Sequence, residues 1–258
     1  MILFSIKKSF FDLWDHLLPS ALINLGFIVL LAVPVSLPFP ISKVSTVLAM
    51  IVLVVGLLIC FVYMGIVARI TRKITDYEGL EWKDFPAALR EMWPQSVVLG
   101  GIYILHVILL LIALPFYANI QHVLALAAIA FLFWASVIWL LASLFFLPVR
   151  TRLDTKTGKI LKKCFILFFD NTGFAIAMGI GAVVIMAGSV VTALLIPGIT
   201  GLFIWLQTGL KLRLYKYDYL EENPNADRRR IPWDALLVED RERVGKRSLK
   251  GMIFPWKE

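Results

Sequence analysis

The chain has 258 residues, 60% hydrophobic and only 17% charged, with a mean hydropathy of +0.83 and a formal net charge of +8. Soluble domains carry about a quarter charged residues, so this composition excludes an ordinary water-soluble globule. A pI near 9.5 would suggest nucleic acid in a soluble protein, but here the basic residues sit at the edges of long apolar blocks and are read as membrane-surface charge, with no nucleic-acid partner.

Asp, Glu, Lys and Arg are absent from residues 16–42, 44–68, 92–149 and 171–210. A helix needs about 20 apolar residues to cross the hydrocarbon core. The first two blocks hold one span each and the third holds two. The fourth holds two if its turn is tight and its second helix runs into the tail. The fold class is therefore all-α: a polytopic membrane protein with a six-helix transmembrane bundle and two cytoplasmic amphipathic elbow helices.

In chain order, residues 1–15 set Ile2, Leu3, Ile6, Phe10, Leu13 and Trp14 against Lys7, Lys8, Asp12 and Asp15 at helical spacing, which predicts an N-terminal interfacial helix. A cleaved signal peptide is the rival reading, but no A-x-A-like site follows. The membrane domain is placed at 16–216. Its first span, about 17–37, carries Pro34 near its end and one strongly polar residue, Asn24, which either bonds backbone locally, the preferred reading, or bridges helices. The second span, 44–68, ends at Arg69, Arg72 and Lys73.

Glu81–Pro94 follows as a charged, amphipathic stretch. Trp82, Phe85, Leu89, Met92 and Trp93 share one helical face, and Pro94 is expected to stop the helix. It reads as an elbow lying on the membrane surface. The third span is placed at 95–114, with Pro115 opening an uncharged outer turn, and the fourth at 123–149. Arg150, Arg152, Lys156, Lys159, Lys162 and Lys163 then accompany a second apolar stripe of Ile160, Leu161, Cys164, Phe165 and Phe168, the counterpart elbow at 157–170. Span, basic residues, elbow and span thus occur twice, an architectural repeat.

The fifth span, 171–196, carries Gly173, Ala177 and Gly181 four apart, a small-residue stripe that predicts close helix packing. Pro197-Gly198 turns the chain into the sixth span, 198–215, with Lys211 and Arg213 near its end. The tail, 217–258, contains Arg228-Arg229-Arg230 and a terminal stretch in which Phe254 and Trp256 are interleaved with lysines. A membrane-surface clamp, a partner-docking peptide and an idle tail all remain open for it.

With six spans, 25 basic residues fall on one side and one, Lys43, on the other, which puts both termini in the cytoplasm. Trp82, Phe85, Trp93, Arg150, Arg152, Lys162, Lys163, Arg228, Arg229, Arg230, Phe254 and Trp256 are the candidate contacts to anionic lipid headgroups or to a partner.

Chemistry is sparse. Membrane enzymes and ion-coupled transporters place ionisable groups where the substrate goes. His106 is the main such candidate at membrane depth, and Asn24 and Gln207 complete the intramembrane polar set. His16 and His122 fall at opposite sides, so the histidines do not make one metal site, and Cys60 and Cys164 show no metal or redox spacing. Walker A, G-x-S-x-G and H-E-x-x-H motifs are absent. No catalytic residue, metal ligand or cofactor is predicted.

Three stretches carry a family resemblance: Asn24-Leu25 with the Pro34 exit, Trp82-Lys83-Asp84-Phe85 running through Arg90 and Trp93 to Gly100-Gly101, and Leu147-Pro148-Val149-Arg150 leading to Asp170-Asn171. Over about residues 8–220 the chain resembles the YesL-like family of bacterial membrane proteins, a domain of unknown function. The tail from Asn223 departs from it. The resemblance implies a six-helix bundle in the bacterial cytoplasmic membrane and an accessory role near carbohydrate uptake. It carries over no site residues. A non-enzymatic accessory to a transporter or envelope complex is therefore the expected function. A small permease or lipid-handling protein is the alternative.

Overall fold

The computed structural model describes residues 1–227, 231–245 and 247, so Arg228, Arg229, Arg230, Phe254 and Trp256 lie outside the described residues. Those residues form helices joined by short connections, with no strand among them. In order they are α1 (Ile2–Asp15), α2 (Leu17–Ser36), α3 (Pro38–Ser42), α4 (Thr46–Thr75), α5 (Asp84–Ala118), α6 (Val123–Ser143), α7 (Phe146–Arg152), α8 (Thr157–Asp170), α9 (Thr172–Val191), α10 (Gly198–Glu222), α11 (Trp233–Leu236) and α12 (Val238–Val244).

Five helical segments are long and apolar enough to cross a membrane: α2 with α3, α4, α5, α6 with α7, and α9. The chain is a helical multi-pass membrane protein. The expected sixth span does not meet the same measure. The uncharged part of α10, residues 198–210, is about 20 Å long at about 1.5 Å per residue, short of the roughly 30 Å hydrocarbon core. It is instead the central helix of the bundle. From Gly198 to Leu210 only Leu202 is partly exposed, and α10 packs against α1, α2, α4, α7 and α9.

Packing is lopsided along the bundle. The buried core gathers around the second half of α4 (Val67, Ile70), the first half of α5 (Met92, Leu99), α7 (Phe146, Val149) and α10 (Leu206, Leu210). The other halves of α4, α5 and α6 leave apolar side chains such as Val47, Leu111 and Phe131 exposed. One end of the bundle is packed and carries the charges. The other is apolar and open-faced.

Two prolines were expected to end helices and do not. α5 runs unbroken from Asp84 through Pro94 and Pro115 to Ala118, so the first elbow is the opening of a long helix and not a separate element. Membrane helices absorb proline where neighbours satisfy the freed backbone. Here the Arg150 guanidinium donates to the Glu91 carbonyl at 2.9 Å, beside the gap that Pro94 leaves in the ladder. The second stripe does form its own helix, α8, which buries Ile160, Cys164, Leu167 and Phe168.

α1 is amphipathic as expected but inverted. Its polar stripe, Ser5, Lys8, Ser9 and Asp12, is buried in the protein, while Ile2, Leu3 and Ile6 face outward. In lipid the apolar face can meet acyl chains, and the polar face then needs protein partners. Lys8 and Asp12 find them in each other and in Asp240 of α12, while α10 packs along the helix.

Candidate functional site

At the charged end, helix ends that are remote in sequence supply one connected network. Asp76 and Tyr77 follow the last residue of α4. The Arg152 guanidinium, at the end of α7, donates to both Asp76 oxygens at 2.9 and 3.0 Å, to Thr75 Oγ1 at 2.9 Å and to Gln207 Oε1 at 2.8 Å. Gln207 in turn donates to the Ala68 carbonyl at 2.8 Å and to Thr151 Oγ1 at 2.9 Å. Arg72 adds an ion pair to Asp76 at 3.5 Å and donates to the Thr151 carbonyl.

A second half of the network joins α1, α10 and the tail. Lys8 is 0% exposed and pairs with Asp12 at 3.0 Å and with Asp240 of α12 at 3.5 Å. Asp240, 1% exposed, also accepts from Lys211 at 3.2 Å and from the Tyr215 hydroxyl at 3.0 Å. Lys211 lies 3.6 Å from Asp76, which links the two halves. The Tyr77 ring is the common floor: Lys8 Nζ lies 3.9 Å from its centroid, Lys211 5.1 Å and the Arg243 guanidinium 5.6 Å. Tyr77 has a φ of +60°, a left-handed conformation that non-glycine residues rarely adopt. Cation–π contacts to three elements hold it there.

Lys8, Lys211, Arg72 and Arg152 thus face Asp12, Asp76 and Asp240, with Lys8, Asp12 and Asp240 buried and Arg72 partly exposed. Burial pushes the Asp12 carboxyl up to about 6 against the pull of Lys8. It pushes Lys8 down in the same way, with Asp12 opposing. Asp76 is also pushed up by burial, but the Arg152 hydrogen bonds and charge outweigh that and hold it below the usual carboxylate range. Arg247 pairs with Asp15 at 2.8 Å and Lys7 donates to the Gly245 carbonyl at 3.1 Å, so the described tail is clasped to α1. The whole arrangement works as a clamp that seals the charged end.

The sequence-predicted residues divide accordingly. Arg150 and Arg152 turn into the protein and pair with carboxylates. Arg150, 7% exposed, lies 3.4 Å from Glu91, which also pairs with Arg69, and Arg152 points into the network. Trp82 and Trp93 are exposed, with Trp82 at 79% and stacked on Phe85. Lys162 is exposed, and Lys163 lies 3.5 Å from Asp154.

Asn24 bridges helices and does not bond locally. Its Nδ2 donates to the carbonyls of Leu195 and Pro197 at 2.8 and 2.9 Å, and its Oδ1 accepts from Thr200 N and Oγ1 at 2.9 and 2.8 Å. It therefore satisfies the irregular corner between α9 and α10, where Ala193, Leu194 and Gly198 all have positive φ. Gln207 lies farther along α10 in the charge network, and His106 belongs to neither group: its Nε2 is buried and has no partner among the described residues. The three intramembrane polar candidates form no joint site.

The small stripe is only partly a packing surface. A Cβ on Gly181 would meet the Trp205 indole at 2.5 Å, whereas Gly173 has open space beside it, and Ala177 is half-buried between them. The second close approach is at Gly179, which meets Leu141 of α6.

Sequence reasoning missed Lys8, Asp12, Asp76, Tyr77, Lys211 and Asp240 as one cluster. The available signal was the Lys8–Asp12 spacing of four on an otherwise greasy helix. No group of three or more His, Cys, Asp or Glu suited to a metal occurs among the described residues. No protein-family model, curated protein or solved structure matches the chain.

Proposed function

We propose that the protein is a non-enzymatic accessory or scaffold of the bacterial cytoplasmic membrane, with both termini cytoplasmic and a structured inner face that docks a transport or envelope complex. The supporting observation is the tail clamp. Asp240 and Arg247 tie the segment after α10 to α1, so one rigid surface is built from the N-terminus, the α4–α5 connection and the tail. Beside it stand Trp82 and Trp93 of the first elbow and Lys159, Lys162, Ile166 and Phe169 of α8, all exposed. Aromatic and basic residues at one level suit anionic headgroups and a membrane-bound partner.

Both termini on one side is supported by α10 returning the chain from α9 and by Asp240 and Arg247 of the tail pairing with Lys8 and Asp15 of α1. The positive-inside distribution supports that side being the cytoplasm. The YesL-like resemblance supports carbohydrate uptake as the setting. Charge pairing within the protein speaks against a charged substrate path at this end, because Asp76, Asp240 and Arg152 are already engaged by neighbours.

Cross-linking and co-purification of the full chain from native membranes tests the reading. A stoichiometric membrane complex that is lost on Asp240→Lys or on deletion of 223–258 is expected. Substrate flux in liposomes holding the purified protein alone would overturn it in favour of a small permease. A reporter fused after residue 258 should respond in a cytoplasmic assay, and a periplasmic signal would refute the orientation.

A further inference from the structure

We propose that the groove between α1, α9 and α10 binds one anionic phospholipid, with its phosphate at Arg213, its ester region at Ser9 and its acyl chains along the apolar wall. The groove is a cavity of about 540 Å³ whose wall includes Ile6, Phe10, Leu13, Ile180, Val184 and Trp205. At its charged end it adjoins a second cavity of about 420 Å³ lined by Met1, Phe174, Arg213, Lys216 and Trp233, and Ile2 lines both. Both volumes fall in the range of ligand sites, about 300–1,000 Å³.

Arg213 is unlike the other arginines packed at this end. Arg69, Arg72, Arg150 and Arg152 each face a carboxylate. Among the described residues no carboxylate lies within ion-pair distance of Arg213. Its guanidinium stacks 4.3 Å from the Phe174 ring centroid, and its buried Nε, like those of Arg72 and Arg150, has no hydrogen-bond partner, so the absent carboxylate is what sets it apart. A cationic donor left unsatisfied is costly, and a phosphate satisfies it in the geometry that guanidinium prefers.

Ser9 provides an independent observation. It lines the apolar groove, is 8% exposed, and its Oγ has no hydrogen-bond partner. A lone hydroxyl on a greasy wall suits an ester oxygen, the one polar group that a lipid carries at the base of its chains. Cation, hydroxyl and apolar wall occur in the order in which a phospholipid presents phosphate, ester and chain. A transmembrane helix or a second copy would cover the wall but leave Arg213 and Ser9 unsatisfied. A zwitterionic headgroup would bring its own cation against Arg213.

The proposal does not depend on the accessory reading and stands whether or not a partner complex exists. Native mass spectrometry of the full chain, delipidated in mild detergent and titrated with phosphatidylglycerol or phosphatidylcholine, tests it. One phosphatidylglycerol per chain is expected, with affinity for phosphatidylcholine lower by about fivefold or more, the effect of one interfacial charge. Arg213→Gln should remove that preference, Arg213→Lys should keep most of it, and Ala177→Trp should fill the groove and weaken both lipids. Equal binding of the two lipids by the wild type, or an unchanged preference in Arg213→Gln, overturns the proposal. If Ala177→Trp does not fold, the Arg213 pair decides alone. Inorganic phosphate should not compete, and competition by it would assign a soluble-anion site and refute the lipid.

Discussion

Arg152 and Asp76 lie far apart in sequence yet meet end to end, with two parallel hydrogen bonds of 2.9 and 3.0 Å between guanidinium and carboxylate. The pair locks the end of α7 to the end of α4, and Gln207 fixes the remaining guanidinium edge to α10. Removing one partner strands the other. Arg152→Met is expected to destabilise the protein by about 3–5 kcal/mol, and Arg152→Lys should recover little of that because it lacks the planar fork. Thermal unfolding in detergent measures both. A melting temperature in Arg152→Met equal to wild type would show that the pair contributes nothing.

Asp12 sets a pH signature. Its folded-state value of about 6 lies above the ordinary 3.8, so the folded form holds this proton more tightly than the unfolded form. By linkage its contribution is fully present below pH 3.8 and is lost as pH rises through about 6. The groups facing it are Lys8, Lys211 and Asp240. Asp12→Asn should therefore be at least as stable as wild type at pH 7.5, with the difference shrinking as pH falls through 6 and vanishing only below pH 3.8. Melting temperatures across that range decide it, and parallel pH profiles for the two proteins would refute the assignment.

Two glycines on α9 should respond in opposite senses. A Cβ at Gly181 collides with the Trp205 ring, whose Nε1 donates to the Met178 carbonyl at 3.0 Å and so cannot swing freely. Gly181→Ala is expected to cost about 1–3 kcal/mol through overpacking. Gly173→Ala meets nothing within 4 Å and should stabilise the helix by up to about 1 kcal/mol. Equal effects at the two sites, read by thermal unfolding, would contradict the packing.

Asn24 carries the α9–α10 corner. Asn24→Leu keeps the bulk but strands the Leu195 and Pro197 carbonyls and the Thr200 amide, for an expected loss of about 2–4 kcal/mol. Hydrogen exchange at Thr200 should speed up in the variant before the rest of α10 is affected. Unchanged exchange at that amide would mean that Asn24 does not hold the corner.

The apolar blocks made the helices legible, because uninterrupted runs of that length have few other solutions. Helix ends at proline were misread at Pro94 and Pro115, which α5 runs straight through. α10 looked like one more span because block length alone says nothing about what surrounds a helix. Its place at the centre depends on Gly209 admitting Met178 and on Gly181 of α9 admitting Trp205, contacts that only the assembled bundle defines. The periodicity of α1 was readable and its direction was not, since the same stripe can face water or a neighbouring helix. The charge network escaped notice for a related reason: its members come from five separate stretches of chain, and each looked like an ordinary surface or span-end charge.

The packed core ends about where the charges do, and beyond it α4, α5 and α6 run on with most of their side chains turned outward. A bundle stitched at one end and loose at the other has its stiffness on one leaflet only. When the bilayer thins or thickens, the free halves can splay or lean together at a cost of a fraction of a kcal/mol per ångström of mismatch. The clamp at the far end then transmits none of that movement to the face that carries the tail.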